Sequence, residues 1–336
     1  PISSTEIYPT GCSRPALPSG RYAHSTFATT GPSPEIVISG GYTGSWTASC
    51  LVLDVENQLW DETLMGDLPQ PRHGAAPVTI ENVGTYLIGG SSSSMKTSDF
   101  LAAGSTEWAA GPVLPVDMRD PCAVSISQLS FLIIHRNNIL EYEVDKANPT
   151  SSSGWQSASK FPQLQTTREK QPGCSKIGDQ VVIAGGYDNI PGYLRSSEVL
   201  DLTTRTIVYA GDLNSPRAYF HMATITMNGE QTLFAIGGYN GSSVLNSVEQ
   251  FNTNNNTWTL APTSMEEARD AFGAVVLLRE ILCPMSTASE ATGGSSVTGG
   301  STVSGSTGGS SVTEGSTVSG STGGSSVTGG STVSGS

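Results

Sequence analysis

Short apolar runs, each bounded by glycine, proline, asparagine or serine, succeed one another along most of this chain, and helix-period patterns are nearly absent. The pattern predicts an all-β protein of short strands and tight turns. One run recurs in a fixed form that closes on paired glycines: Ile36-Val37-Ile38-Ser39-Gly40-Gly41, Leu87-Ile88-Gly89-Gly90, Val182-Ile183-Ala184-Gly185-Gly186 and Phe234-Ala235-Ile236-Gly237-Gly238. Its continuous apolar character suits a strand covered on both faces. Two further markers keep step. Arginines stand about 50 residues apart at Arg21, Arg72, Arg119, Arg168, Arg217 and Arg269, and an aromatic follows each apolar run at Trp60, Trp108, Trp155, Tyr209 and Trp258. The third unit breaks the form, reading Phe131-Leu132-Ile133-Ile134-His135-Arg136 where the diglycine should stand.

Each unit reads as four strands: a first after the arginine (24–28, 75–80), the diglycine run, a third (50–54, 199–201, 248–251) and a fourth carrying the aromatic. Repeats of this length with a diglycine and a later tryptophan resemble the kelch repeat, whose unit is one four-stranded blade of a β-propeller. The resemblance covers Arg21 to about Leu278. It implies a six-bladed ring with an incomplete closing blade shared by the two ends. Glu6-Ile7-Tyr8 would take the place of a fourth strand and residues 269–278 of a first; the remaining strands are expected upstream of Pro1 or, alternatively, Ile281-Leu282-Cys283 supplies an irregular second. The domain reading is a propeller over residues 1–285. Residues 286–336 form a tail in which Gly, Ser, Thr and Val repeat with a period of about 15, too poor in apolar surface to offset chain entropy and therefore expected to be disordered.

Composition narrows the partners. A formal net charge of −13 opposes a nucleic-acid backbone, so nucleic acid is not expected as a partner. No apolar stretch approaches the roughly 20 residues of a membrane span, so no membrane insertion is expected. The low charge, the cysteines, the Ser/Thr-rich tail and the sequons Asn240-Gly241-Ser242 and Asn255-Asn256-Thr257 favour a secreted glycoprotein. The alternative is a cytoplasmic adaptor carrying a BTB-type domain upstream of Pro1.

Candidate chemistry is sparse. Cys12 and Cys283 flank the closing blade, and a disulfide between them would staple the ring. Cys122 and Cys174, at similar places in adjacent units, read as buried free thiols. His24, His73, His135 and His221 lie in different units with no ligand spacing between them, so no metal is expected. Copper oxidases of kelch type need a Tyr, Cys and His set that cannot be assembled here. The iron motif of the specifier proteins is matched only by Glu266 and Asp270, with Ala274 where its His should be. No cofactor and no catalytic residue are expected.

The arginines admit two readings: a guanidinium ring that captures acidic side chains, or a structural set fixed by backbone carbonyls of neighbouring blades. Strict periodicity favours the structural one, because a binding site rarely needs the same residue in every repeat. Recognition is expected instead from the loops after the diglycines, which differ in every unit and offer Tyr42, Trp46, Tyr187, Asp188, Tyr193, Tyr239 and Asn240 to a protein or glycan partner.

Overall fold

The computed structural model describes residues 15–31, 34–54, 57–90, 95–227, 229–276, 317–321 and 324–328. The chain divides into two units, Pro1–Pro284 and Met285–Ser336. Among the described residues, five antiparallel blade sheets and one small two-stranded hairpin build the first. Blade one holds Ser25–Ala28 (β1), Ile36–Ser39 (β2), Cys50–Asp54 (β3) and Leu59–Asp61 (β4), and blade two holds Ala76–Ile80 (β5), Gly84–Ile88 (β6), Ser98–Ala102 (β7) and Trp108–Ala110 (β8). Blade three has Cys122–Ser127 (β9), Ser130–His135 (β10) and Asn138–Glu143 (β11). Where its fourth strand would stand, Trp155 makes only a bridge to Tyr142. Blade four holds Gly173–Ile177 (β12), Gln180–Ala184 (β13), Ser197–Asp201 (β16) and Thr206–Ala210 (β17), with a small hairpin, Tyr187–Asp188 (β14) and Gly192–Tyr193 (β15), inserted after its diglycine. Blade five holds His221–Met227 (β18), Glu230–Ile236 (β19), Val248–Asn252 (β20) and Thr257–Leu260 (β21). This is a β-propeller, as the repeat predicts.

The second strands owe their apolar runs to burial between blades: every residue of β2, β6 and β10 is buried. Tyr86 and Phe100 of blade two pack against Phe131 and Tyr142 of blade three, and both tyrosine hydroxyls donate to the Pro149 carbonyl at 2.9 Å. Val182, Val199 and Leu213 meet Met222, Leu233 and Trp258 between blades four and five.

A ring of left-handed residues surrounds the axis, one just after each arginine: Ala23, Gly74, Asp120, Gln171, Tyr219 and Ala271, with φ from 35° to 67°. Backbone hydrogen bonds link successive units through them. Gly74 N–H donates to Ala23 O at 2.7 Å, Gln171 to Asp120 at 3.1 Å, Ala271 to Tyr219 at 2.8 Å, and Ala23 to Ala271 at 2.6 Å, which returns the chain to its first blade. Residues 269–276 thus occupy a sixth sector. Phe272 packs on blade five beside Phe234 and Met265, and Val275 on blade one beside Ile38 and Leu53. A first strand is expected over 269–278; among the described residues 269–276 no strand forms, and residues 277–284 lie outside those described. Glu6-Ile7-Tyr8, Ile281-Leu282-Cys283 and the Cys12–Cys283 staple also lie outside the described residues.

The reading of Cys122 and Cys174 as free thiols is corrected. They form a disulfide. β9 and β12 are the innermost strands of adjacent blades, and the repeat brings their first turns side by side with a Cα separation of 6.0 Å. Cys50 is a buried free cysteine.

In the second unit, Thr317–Ser321 (β22) and Gly324–Thr328 (β23) pair antiparallel, with Val318 opposite Val327. The expectation of a tail without structure does not extend to these ten residues, whose β-branched Thr and Val favour pairing.

Candidate functional site

The diglycine loops and the arginine loops emerge on one face of the propeller, and the two signatures are bonded to each other. Arg72 donates from Nη1 to the carbonyl of Gly89 at 2.6 Å and to that of Thr97 at 3.1 Å, and grips Asp99 from Nε at 2.7 Å. Arg168 repeats this with Gly185, Ser196 and Glu198, and Arg217 with Gly237, Ser247 and Glu249. Arg21 reaches Gly40 and Ser49, and Leu51 stands where the acid would be. These arginines are fully or nearly fully buried. The carbonyls they bind belong to their own repeat, not to the neighbouring blade. The coupling to the preceding blade runs through the backbone: Gly41 donates to Arg72 O, Gly186 to Arg217 O and Gly238 to Arg269 O. An alanine at Gly40 would place its Cβ 2.3 Å from Arg72 O, at a φ of +64°. The glycine is therefore required twice, by conformation and by space. Arg269 is also nearly buried and pairs with Glu267 at 3.1 Å.

Arg119 departs from this set. Gly90 donates to the carbonyl of Met118, and Met118 is fully buried where the other units bury arginine. The register has slipped by one residue. Blade three has no diglycine, since His135 and Asn138 pair directly across a two-residue turn, Arg136-Asn137, so the arginine slot loses its glycine carbonyl. The acid of that blade, Glu141, is taken by Lys160 at 2.5 Å instead. Arg119 is left exposed on the loop face, with no ion pair among the described residues. The periodicity that marks Arg119 as a structural repeat position is corrected by the absent diglycine.

The tryptophans sit at the outer ends of the blades. Trp60 is buried and donates to Pro15 O at 3.0 Å. Trp258 is buried against Phe251 and donates to Ser197 Oγ at 3.1 Å. Trp108 and Trp155 are half-buried, packing on Phe27 and Tyr142 respectively. Tyr209, which replaces Trp in blade four, is 57% exposed.

Around the mouth of the axis, the residue after each complete diglycine loop is held by a backbone bridge: Tyr42 to Tyr22, Tyr187 to Lys170 and Tyr239 to Ala218. The structure brings three of the expected loop aromatics together. Tyr187 and Tyr193 meet edge to face at 5.1 Å, and Tyr193 meets Tyr239 at 5.3 Å, which spans the gap between blades four and five. The Lys170 ammonium lies 5.5 Å over the Tyr187 ring. Asn240 is tied into its own turn, its Oδ1 accepting from the Ser242 and Ser243 amides at 2.9 and 2.8 Å. Asp188 closes the β14–β15 hairpin at its pairing with Gly192, behind a tip at Ile190 that is 86% exposed. Trp46 does not join this cluster. It lies across blade one, 47% exposed, with its ring 4.7 Å from that of His73.

The cluster includes residues that the repeat pattern did not single out. Asp120 sits beneath Arg119, and burial lifts its carboxyl to about 6 against the pull of Arg119, Lys170 and a hydrogen bond from Gln171. Burial also raises Asp270 and pushes the Tyr219 hydroxyl up to about 12. These are the left-handed ring residues and their neighbours, and only closure of the ring brings them together. Behind the mouth a channel of about 780 Å³ runs between the innermost strands, lined in part by His24, Thr26, Ser175 and His221. His24 and His221 are both held down to about 4, chiefly by burial, and His24 accepts a hydrogen bond from the Gly273 amide at 3.2 Å. His135, in blade three, is likewise lowered to about 4. Among the described residues no group of three or more His, Cys, Asp or Glu side chains gathers as a metal would require.

The Kelch motif family matches residues 228–265, which run from the start of β19 to the loop after β21. Two viral proteins named Kelch repeat and BTB domain-containing protein 2 are similar to the chain. The ectromelia virus protein is 30% identical over 100 residues, 30% of this chain and 17% of its own length. That of cowpox virus is 24% identical over 146 residues, 44% of this chain and 22% of its own length. The matched region spans about a fifth of these relatives. With five blades, three of which lock an arginine to a diglycine and an acid, and with the motif match falling on one of those three, the chain is a kelch-repeat β-propeller protein.

Proposed function

We propose that this propeller is a non-catalytic interaction module that holds a protein partner on its loop face. The observation that carries the reading is the division of labour in the repeat. Buried arginines, diglycines and acids fix the scaffold, while Tyr187, Tyr193 and Tyr239 from two blades converge at the mouth of the axis as half-buried, preordered contact area. Ordered aromatics lose little entropy on binding and commonly anchor interfaces. Selection of a random peptide library on the purified protein tests it. Binders retained by wild type and by Tyr209→Ala, an exposed change on the outer strand of blade four, but lost with Tyr193→Ala support the loop face. Binders that survive Tyr193→Ala, Trp46→Ala and Tyr239→Ala alike refute it.

Two settings compete for this module. The Cys122–Cys174 bond favours an oxidising compartment, as in a secreted protein, since such bonds are rare in the reducing cytosol. The BTB domain in the relatives' names favours an adaptor role inside the cell. Non-reducing peptide mass spectrometry on protein from its native source separates them. A linked Cys122–Cys174 peptide supports the first and free thiols at both positions the second.

A further inference from the structure

The blades end unequally at the outer rim. The outer strands of blades one and two, β4 and β8, have three residues each, and β21 of blade five has four. β17 of blade four has five, Thr206-Ile207-Val208-Tyr209-Ala210, and pairs with β16 through all of them without a bulge. Among the described residues no strand pairs with its other side. It carries no charge, proline or glycine, the devices that usually blunt an edge, whereas β4 ends on Asp61. Val208 is 49% exposed and Tyr209 57%.

The exposure of Tyr209 has its cause in blade three. Trp258, at the corresponding place in blade five, is buried in a cluster that Ala210 of β17, on the preceding blade, helps to cover. Ile207 shares a face of β17 with Tyr209 and packs beside Ile139 and Phe161. Blade three has no fourth strand among the described residues to continue that cover outward, so Tyr209 stays open. The backbone of the edge is open as well. Just past the strand, the Gly211 N–H turns away from β16 and donates to Asn256 O of blade five at 2.6 Å. Backbone groups of alternate residues on a strand point the same way, so Ile207 and Tyr209 present theirs outward, and blade five covers only the end of the edge.

We infer that β17 is the interface of a homodimer, in which two copies of this chain pair their β17 edges antiparallel about a two-fold axis at Val208. The strand is self-complementary in this register. Ile207 stands opposite Tyr209 of the second copy and exchanges ladder hydrogen bonds with it, the symmetric pair does the same, and Val208 meets Val208. An aromatic opposite a β-branched side chain is a favoured cross-strand pair. The charges agree. Arg205 precedes the strand, Asp212 follows it, and both are exposed. An antiparallel partner brings Arg205 of each copy beside Asp212 of the other, whereas a parallel partner would set like charges together. Two five-residue edges bury little area, so the dimer is weak, and with −13 on each copy it needs salt to screen the long-range repulsion. Nothing in this pairing depends on the loop face.

Sedimentation velocity on the full chain, from about 5 to about 200 µM at about 0.15 M salt, tests this. A shift from monomer to dimer is expected within that range, with slowed amide exchange over residues 206–210 at its upper end. Val208→Lys sets two ammonium groups opposite each other at the axis and should weaken association about tenfold or more. Its urea midpoint should stay at the wild-type value, because the side chain is half-exposed. Arg205→Glu should weaken association about fivefold, and adding Asp212→Arg should restore it, a recovery that damage to the fold cannot mimic. A chain that stays monomeric throughout, a dimer that Val208→Lys leaves intact, or a double variant no better than Arg205→Glu overturns the inference.

Discussion

Arg217→Met copies into blade five the residue that blade three carries at Met118, and it tests whether the repeat arginine is a scaffold element. Arg217 and Glu249 are both fully buried and paired, and Arg217 also binds the Gly237 carbonyl at 2.7 Å. Methionine keeps most of the packed volume but strands the Glu249 carboxylate. That acid would retain the Asn214 amide at 2.7 Å and the Ser215 amide at 3.2 Å and lose its only cation, whereas Glu141 in blade three has Lys160. Removing one partner of a buried pair costs about 3–5 kcal/mol. Adding Glu249→Gln removes the stranded charge while leaving an acceptor for Asn214, so the double variant should recover about 2 kcal/mol of the loss. Urea unfolding followed by tryptophan fluorescence, with unchanged slope, measures both. Arg119→Met, at an exposed position, should stay within about 0.5 kcal/mol of wild type. A loss below about 1 kcal/mol for Arg217→Met, or no rescue by Glu249→Gln, would refute the scaffold reasoning.

Other outcomes follow from the same geometry. Gly40→Ala should destabilise the propeller by about 1–3 kcal/mol, read as a lowered urea midpoint, because the Cβ meets the Arg72 carbonyl at 2.3 Å and the residue is left-handed. Cys122→Ser with Cys174→Ser opens a link across 52 residues and should cost about 4 kcal/mol on the chain-entropy estimate, checked by unfolding wild type with and without reductant. Three histidines have folded pKa values near 4, below their unfolded 6.5, so their contribution is fully present above pH 6.5 and is lost as pH falls toward 4. Asp120 works in the opposite sense, its raised carboxyl favouring the folded state at the acid end of the window from 3.8 to about 6. Four lowered histidines stand against the raised Asp99, Asp120 and Asp270, and between pH 7 and pH 5 it is the unfolded chain's histidines that cross their ordinary 6.5, so the urea midpoint should drop, and a flat or rising midpoint would contradict the burial of these rings.

The sequence by itself determined the architecture, because its markers are local and periodic. A buried strand must be apolar throughout, a left-handed turn selects glycine, and an arginine that meets the same carbonyls in each blade must return at the same interval. That is why the limits of the third strands and the place of the diglycine turns were legible from residues such as Cys50, Val248 and Gly237. The fate of Arg119 was not, since a one-residue slip leaves the spacing almost unchanged and shows itself only when Met118 is seen in the arginine slot. The Cys122–Cys174 bond was hidden for a related reason: similar places in adjacent repeats become neighbours only when the innermost strands converge on the axis. Asp120, Lys170 and Tyr219 lie far apart in the chain and carry no motif. Ring closure alone gathers them at one mouth, and burial there, a property of the closed ring and not of any residue, raises Asp120 and Tyr219 above their ordinary values.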